Sequence, residues 1–507
     1  MKSARLLLLA GFLAVLPLSS QSPADSTPQP DDPPARVARL NWLTGDVAFQ
    51  PAGFEEWTDA TLNYPLTTSD HLFTGKDSRV ELHIGPNAIR LDANSNFGFL
   101  NLDDSIVQVS LTEGSMEIHL RLLADDDSFE IATPNGAITL LRTGDYRIDT
   151  DPERDATMLT VRAGQAELFP GAGNVIVRAQ ETAYFQTDQT PDIRFANLPD
   201  DFDSFTAARE DANPVTVDAG ASTGSRRVPD LVAEGMTGAE DLNTYGAWQD
   251  SGTDGQVWVP PVDSDWTPYS DGSWAYVEPW GWTWVDAEPW GFAPFHYGRW
   301  RYAGTRWVWV PGSRRATQVF APALVTFVAG GPASSVTWYP LGPRDAWTPP
   351  WRPQPANQLL PRLSPNRLVP GAVLTLSQHD FAAGSHARPV SGVVPGEETL
   401  GSSPAVVPVR ESVLRGPARL RPPVSHRPLI ARTAPPPAPI SFSAKLGLLA
   451  QNQGHPLAPK QTESLRRQQP ATVMQRPAVR STVPLVSTPR AAKPAAAAPA
   501  RPVRQGQ

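Results

Sequence analysis

The stretch Glu278–Phe292, EPWGWTWVDAEPWGF, sets five large aromatics, two prolines and two glycines in fifteen positions. It is a short internal repeat, because Glu278-Pro279-Trp280-Gly281-Trp282 returns ten residues later as Glu288-Pro289-Trp290-Gly291-Phe292. Outward from it a Trp-x-aromatic unit recurs, in Trp274-Ala275-Tyr276-Val277, Trp282-Thr283-Trp284-Val285, Trp300-Arg301-Tyr302-Ala303 and Trp307-Val308-Trp309-Val310. Residues two apart share one face of a strand, so each unit places two aromatics on one side of a ribbon. Pro-Trp-Gly and Tyr297-Gly298 supply the corners. Val308 and Val310 make the last ribbon apolar on its other face too, which predicts burial between layers. The module spans 241–351 and holds 14 of the 16 Trp. One indole buries on the order of 200 Å², worth several kcal/mol at about 25 cal/mol per Å², so most of them are needed as core. The more polar-flanked Trp266, Trp274, Trp300 and Tyr302 form the candidate binding face, suited to sugar rings or proline-rich peptides.

Residues 36–186 predict an all-β domain. Val80, Leu82 and Ile84 alternate with Arg79, Glu81 and His83 before Gly85-Pro86-Asn87 breaks the run. Val107, Val109 and Leu111, then Thr112-Glu113-Gly114, then Met116, Ile118 and Leu120 read as a hairpin. Further runs cover 138–148, 159–169 and 175–185. Ten to twelve short strands imply an antiparallel sandwich or a rolled or solenoidal sheet. Over 198–240 the pattern changes to a short helix and a linker: Asp200 or Asp201 serves as N-cap, and Phe202, Phe205 and Ala208 follow at helical spacing.

Residues 352–507 carry 26 Pro in 156 positions with few aromatics, a composition that predicts a disordered tail with a short helix near 444–451. Charge divides at the same place. Residues 1–351 hold 23 Lys+Arg against 47 Asp+Glu, and the tail holds 20 against 5. A basic tail of this kind can contact anionic polymers or the protein's own acidic body. Without interleaved aromatics it is a poor nucleic-acid binder. At the other end Lys2 and Arg5 precede the apolar run Leu6–Leu18, which predicts a signal peptide over 1–24 and export to the periplasm or beyond. No later run is long enough for a membrane span. There is no Cys, so neither disulfides nor thiolate metal sites are available.

Two resemblances follow from these motifs. RLNWLTGDVAFQ (39–50), FEIATPNGAITLLRTGDYRIDTD (129–151) and MLTVRAGQAELF (158–169) resemble the extracytoplasmic FecR domain. YGAWQDSGTDGQVWVP (245–260), PWGWTWVDAEPWGFAPFHYGRW (279–300) and VTWYPLGPRDAW (336–347) are similar to a Trp-, Gly- and Pro-rich domain of unknown function that follows FecR domains in exported bacterial proteins. FecR-type regulators carry a cytoplasmic anti-sigma segment and a membrane span where this chain has its signal peptide. What the resemblance implies is therefore the fold and an extracytoplasmic, protein-binding habit.

Asp149, Asp151, Glu153 and Asp155 alternate in IDTDPERD and are the candidate Ca²⁺ ligands, although the loop lacks the Gly and distal Glu of an EF-hand. Gly220-Ala221-Ser222-Thr223-Gly224 matches a nucleophile-elbow string, but its linker context reads as chance. His296 is expected to hydrogen-bond within the aromatic packing. The expectation is a non-enzymatic envelope protein, without cofactor, that binds a protein or polysaccharide; the alternative is an extracytoplasmic sensor or regulatory component of a FecR-type signalling system.

Overall fold

The structure, a computed structural model, describes residues 32–171, 173–212, 231–328, 334–352, 364–385, 390–391, 400–401, 403–423, 427–468 and 479–481. The signal peptide (1–24) and the Gly220–Gly224 string lie outside the described residues. The chain divides into two compact units. The β unit comprises Val37–Ala212 with Leu414–Ala444 and Arg466–Gln507; the aromatic unit comprises Asn213–Val413 with Met1–Arg36 and Lys445–Leu465. Both are mostly β. No helix among the described residues is long and apolar enough to cross a membrane.

In the β unit 17 strands form one hydrogen-bonded system, antiparallel except where Ser128–Ala132 runs parallel to Ile106–Ser110. Its organising element is the 15-residue strand Ile106–Leu120. The first half pairs with Asn96–Leu102 and Ser128–Ala132, and the second half with Asn87–Leu91 and Gly144–Asp151, so one strand belongs to two sheets. This corrects the hairpin expected at Thr112–Gly114. Gly114 has φ +88°, and a Cβ there would collide with Ser95. Ser115 N donates to Ser95 Oγ (2.9 Å) and Ser95 Oγ donates to Ser115 O (3.0 Å), which locks both strands at the corner. A glycine at positive φ serves a bend in a continuous strand as readily as a turn between two. The apolar positions read from alternation are buried on both sheets, among them Val80, Leu82, Ile89, Val109, Leu111, Ile118, Ile138 and Leu159.

The aromatic unit is built from paired ribbons. Gly272–Val277 and Gly281–Asp286 form a hairpin whose register sets Trp274 opposite Trp284 and Tyr276 opposite Trp282, with ring centroids 5.4 and 5.6 Å apart. A four-stranded sheet joins Ala247–Asp250, Gln256–Val259, Arg306–Val310 and Arg299–Ala303, and there Trp309 faces Trp258 on one side and Trp300 on the other. The two-residue spacing thus converts into cross-strand aromatic contact. At the Val-Asp-Ala-Glu corner Asp286 is buried, accepting from Trp284 Nε1 (2.8 Å) and Glu288 N (3.0 Å), and burial holds its carboxyl well above the usual range. A Cβ at Gly291 would strike that carboxyl. Pro-Trp-Gly is therefore a fitted corner.

Described segments of the Pro-rich tail enter both units, contrary to its reading as chain that builds no core. Leu374–Ser377 pairs with Ser335–Trp338, and Phe381 packs at 4.6 to 6.3 Å against Trp274, Trp282, Phe327 and Trp338. In the β unit Phe442 stacks on Phe54 at 5.0 Å. The expected helix near 444–451 is Phe442–Gln451.

Candidate functional site

Trp274 and Trp300 are each 1% exposed, while Trp266 and Tyr302 are half-buried. Trp266 packs edge-on to Trp300 (5.4 Å) and Trp290 (5.9 Å), and Tyr302 against Trp307 (5.4 Å). The four do not form one open face. Polar neighbours in sequence lie on the opposite side of a ribbon and say nothing about the layer that covers the indole. His296 is buried between Phe292 and Phe320, with Nδ1 2.7 Å from Ala321 O.

The acidic loop likewise does not converge on one point. Asp149 is held by Ser115 Oγ (2.7 Å) and Arg147 (3.1 Å). Asp151 closes the turn by accepting from Glu153 N and Arg154 N, and Asp155 meets Asn135 Nδ2 and the Arg427 guanidinium. Glu153 points to solvent. Three of the four carboxylates are engaged in building a hairpin end.

The structure brings together a different set. By alternation, Glu81, His83, Arg90, Glu117, His119, Asp145 and Arg147 belong to the face of their sheet opposite the aliphatic core. The Asp201–Ala212 helix covers that face. Asp200 caps it, Oδ1 accepting from Phe202 N (2.9 Å) and Asp203 N (3.1 Å), as its sequence predicts. Phe202 and Phe205 point down onto the sheet: Phe205 lies 5.5 Å from Trp42, with the Arg79 guanidinium 4.7 Å from its ring. Ionic contacts add to these. Arg90, 1% exposed, donates to Glu81 (2.6 Å), Glu117 (3.1 Å) and Glu210 of the helix (2.5 Å). Arg209 returns from the helix to Glu81 (2.8 Å), and Arg147 reaches Asp200 and Asp203 (2.7 Å each).

Buried charge of this kind is stable only while each partner remains. Burial works to raise Glu81, but His83, Arg209 and Arg90 outweigh it and hold the carboxyl well below the usual range. Glu117 goes the other way: burial pushes it up to about 7, only partly countered by Arg90. Glu117, His119 and Asp145 offer ligand atoms within 4.8 Å of one another, one imidazole and two carboxylates. Each is already committed, Glu117 to Arg90 and His119 to Asp145. The arrangement is thus a charge-clamped helix whose balance includes one carboxyl titrating near neutrality.

A second feature lies beyond the predicted domain limit. Strand Asp192–Phe195 pairs with Glu181–Tyr184 on one side and has no strand on the other among the described residues. Phe195 and Leu198 are each 90% exposed, with Tyr184 at 42% and Ile193 at 38% nearby. The alternation Asp-Ile-Arg-Phe is the signal in the sequence for this strand.

Residues 239–345 match the model of a family of unknown function, DUF6600, which coincides with the Trp-rich module read from sequence. No curated protein matches the chain. Two crystal structures of a protein described as an anti-sigma factor from Parabacteroides distasonis are similar, each with a TM-score of 0.23. The first is 15% identical and covers 28% of this chain and 64% of its own; the second is 12% identical and covers 38% and 99%.

Proposed function

We propose that the protein is a non-enzymatic component of the cell envelope that binds a protein partner. The observation that carries this reading is the Asp192–Phe195 edge, where a strand with an open side stands beside Phe195 and Leu198, both 90% exposed. An open edge offers unpaired N–H and C=O groups to an extended segment, and exposed aromatic surface supplies what a partner would bury. Export is supported by Lys2, Arg5 and the apolar run Leu6–Leu18. A polysaccharide partner is less favoured, since Trp274 and Trp300 are buried. The test is capture from envelope extract by the full chain, wild type against Phe195→Asp. Loss of a captured protein in the variant supports the edge; unchanged capture refutes it.

The second reading, an extracytoplasmic sensor or regulatory component, is favoured by the charge-clamped helix. An element held largely by ion pairs, with Glu117 near 7, is one whose docking responds to its surroundings. Its test is whether protection of the Asp201–Ala212 amides changes between pH 5.5 and 8.

A further inference from the structure

Glu130 is 2% exposed on a sheet of the β unit. Its neighbour in register on the parallel strand is Gln108, whose Nε2 donates to it at 3.2 Å. The other donors come from about 300 residues away. Arg432 N donates to Glu130 Oε1 (2.6 Å), and Thr433 N to Oε2 (3.1 Å). Gln108 Nε2 also donates to Thr433 O at 2.7 Å. A carboxylate and an amide side by side therefore read two successive peptide groups at the bend that follows the Leu429–Ala431 strand.

The rest of the segment RPLIART, Arg427–Thr433, is read as well. Ile430 N donates to Thr133 O at 2.9 Å in an antiparallel bridge. Leu429 and Ala431, both fully buried, cluster with Leu100 and Ala132, and Val479 of the strand Val479–Ser481, which pairs in parallel with Leu429–Ala431, packs against the cluster. Arg432 pairs with Glu167 and Arg427 with Asp155. A fold needing only a closed sheet face would place an apolar residue at 130, because a buried carboxylate costs free energy unless donors meet it. Here those donors are main-chain groups of a segment that arrives from about 300 residues away, which is how a peptide is recognised.

We propose that this face is a docking groove for an extended, arginine-bearing peptide segment of a partner protein, with the chain's own Arg427–Thr433 as the resident that the partner displaces. The groove selects an apolar and a small residue two apart, followed directly by Arg. Tethering gives the resident a high effective concentration, so a partner segment binds weakly until the resident leaves. The proposal rests on the protein-binding reading above but uses a different surface.

The probe is a fluorescein-labelled peptide with the sequence of Arg427–Thr433. It is titrated into full chain, wild type or carrying Leu429→Asp with Ala431→Asp to expel the resident. The expelled chain should bind at least about tenfold tighter than wild type. Adding Glu130→Gln, or replacing the probe's Arg432 by Ala, should each weaken binding about tenfold. Absence of saturable binding to the expelled chain, or binding indifferent to Glu130, overturns the groove. A second measurement covers misfolding of the variant. In the wild-type chain the amides of Ile430, Arg432 and Thr433 should exchange at least about a hundredfold faster than those of Ile131 and Ile138, because a resident leaves without global unfolding. Equal rates would make the segment core and overturn the proposal. A chain that binds no probe yet captures its partner through Phe195 loses the groove and keeps the edge; the converse result loses only the edge.

Discussion

In the aromatic unit the largest buried side chains are indoles that face one another across ribbons. In the β unit an aliphatic core on one side of a sheet is matched by a buried charged face on the other. Both manage without a single cysteine. The difference lies in what each tolerates. Indoles contribute by area and ring contact, a term indifferent to pH and nearly so to salt. The charged face contributes only while opposite charges stay paired, so its stability is conditional on solution and on the covering helix. Where the first is a fixed frame, the second is an adjustable one.

The two kinds of support separate when one site of each is emptied. Trp309→Ala, removing a fully buried indole, should cost the aromatic unit about 3 to 5 kcal/mol in denaturant unfolding at any pH from 5 to 8. An unchanged midpoint would sink the core reading. Arg90→Ala should destabilise the β unit by about 3 kcal/mol or more, since Glu81 and Glu117 are left buried without their shared cation. A cost below about 1 kcal/mol would show that water reaches the face.

Titration separates the two regions further. Glu117 has a folded pKa of about 7, above the roughly 4.3 of an unfolded Glu, so its contribution is complete below the unfolded value. It is lost as pH rises, fully so once pH has passed about 7, amounting to at most about 4 kcal/mol. Glu81 and Asp200 have the opposite sign: their carboxyls are held low, so their contributions fade as pH falls below the carboxylate range. Unfolding midpoints from pH 5 to 8 should therefore decline for the β unit of the wild type and lose that decline in Glu117→Gln. The smallest expected effect is at the edge. Phe195→Asp should change stability by under about 0.5 kcal/mol, because a ring 90% exposed has little burial to lose. A larger cost would mean that the ring is packed rather than offered.

Much of the frame was legible. Period-two alternation located the strands, the Trp-x-aromatic unit placed pairs of aromatics on one side of each ribbon, and Asp200 announced the helix that it caps. Alternation assigns residues to faces but does not say what lies over a face. The cover over Glu81 and Arg90, Arg209 and Glu210, stands some 120 residues later in the chain, beyond the reach of local alternation. Phe381 escaped notice for a related reason: an average over 156 residues cannot register one ring seated among four other aromatics. Flanking polarity likewise does not report exposure, since Trp274 and Trp300 are buried.

Gln108 and Glu130 are finished by Arg432 and Thr433, a separation of about 300 residues along the chain. A ribosome adding about 5 to 20 residues per second reaches Thr433 roughly ten to forty seconds after Ala212. Throughout that interval the strands before Ala212 exist without their closing segment, while the residues of the aromatic unit are still emerging. The aromatic unit waits in turn for Lys445, which pairs with Glu278. Folding is therefore nested rather than sequential, and a nascent chain halted near residue 350 would hold a β unit with its groove empty beside an aromatic unit that still lacks Phe381.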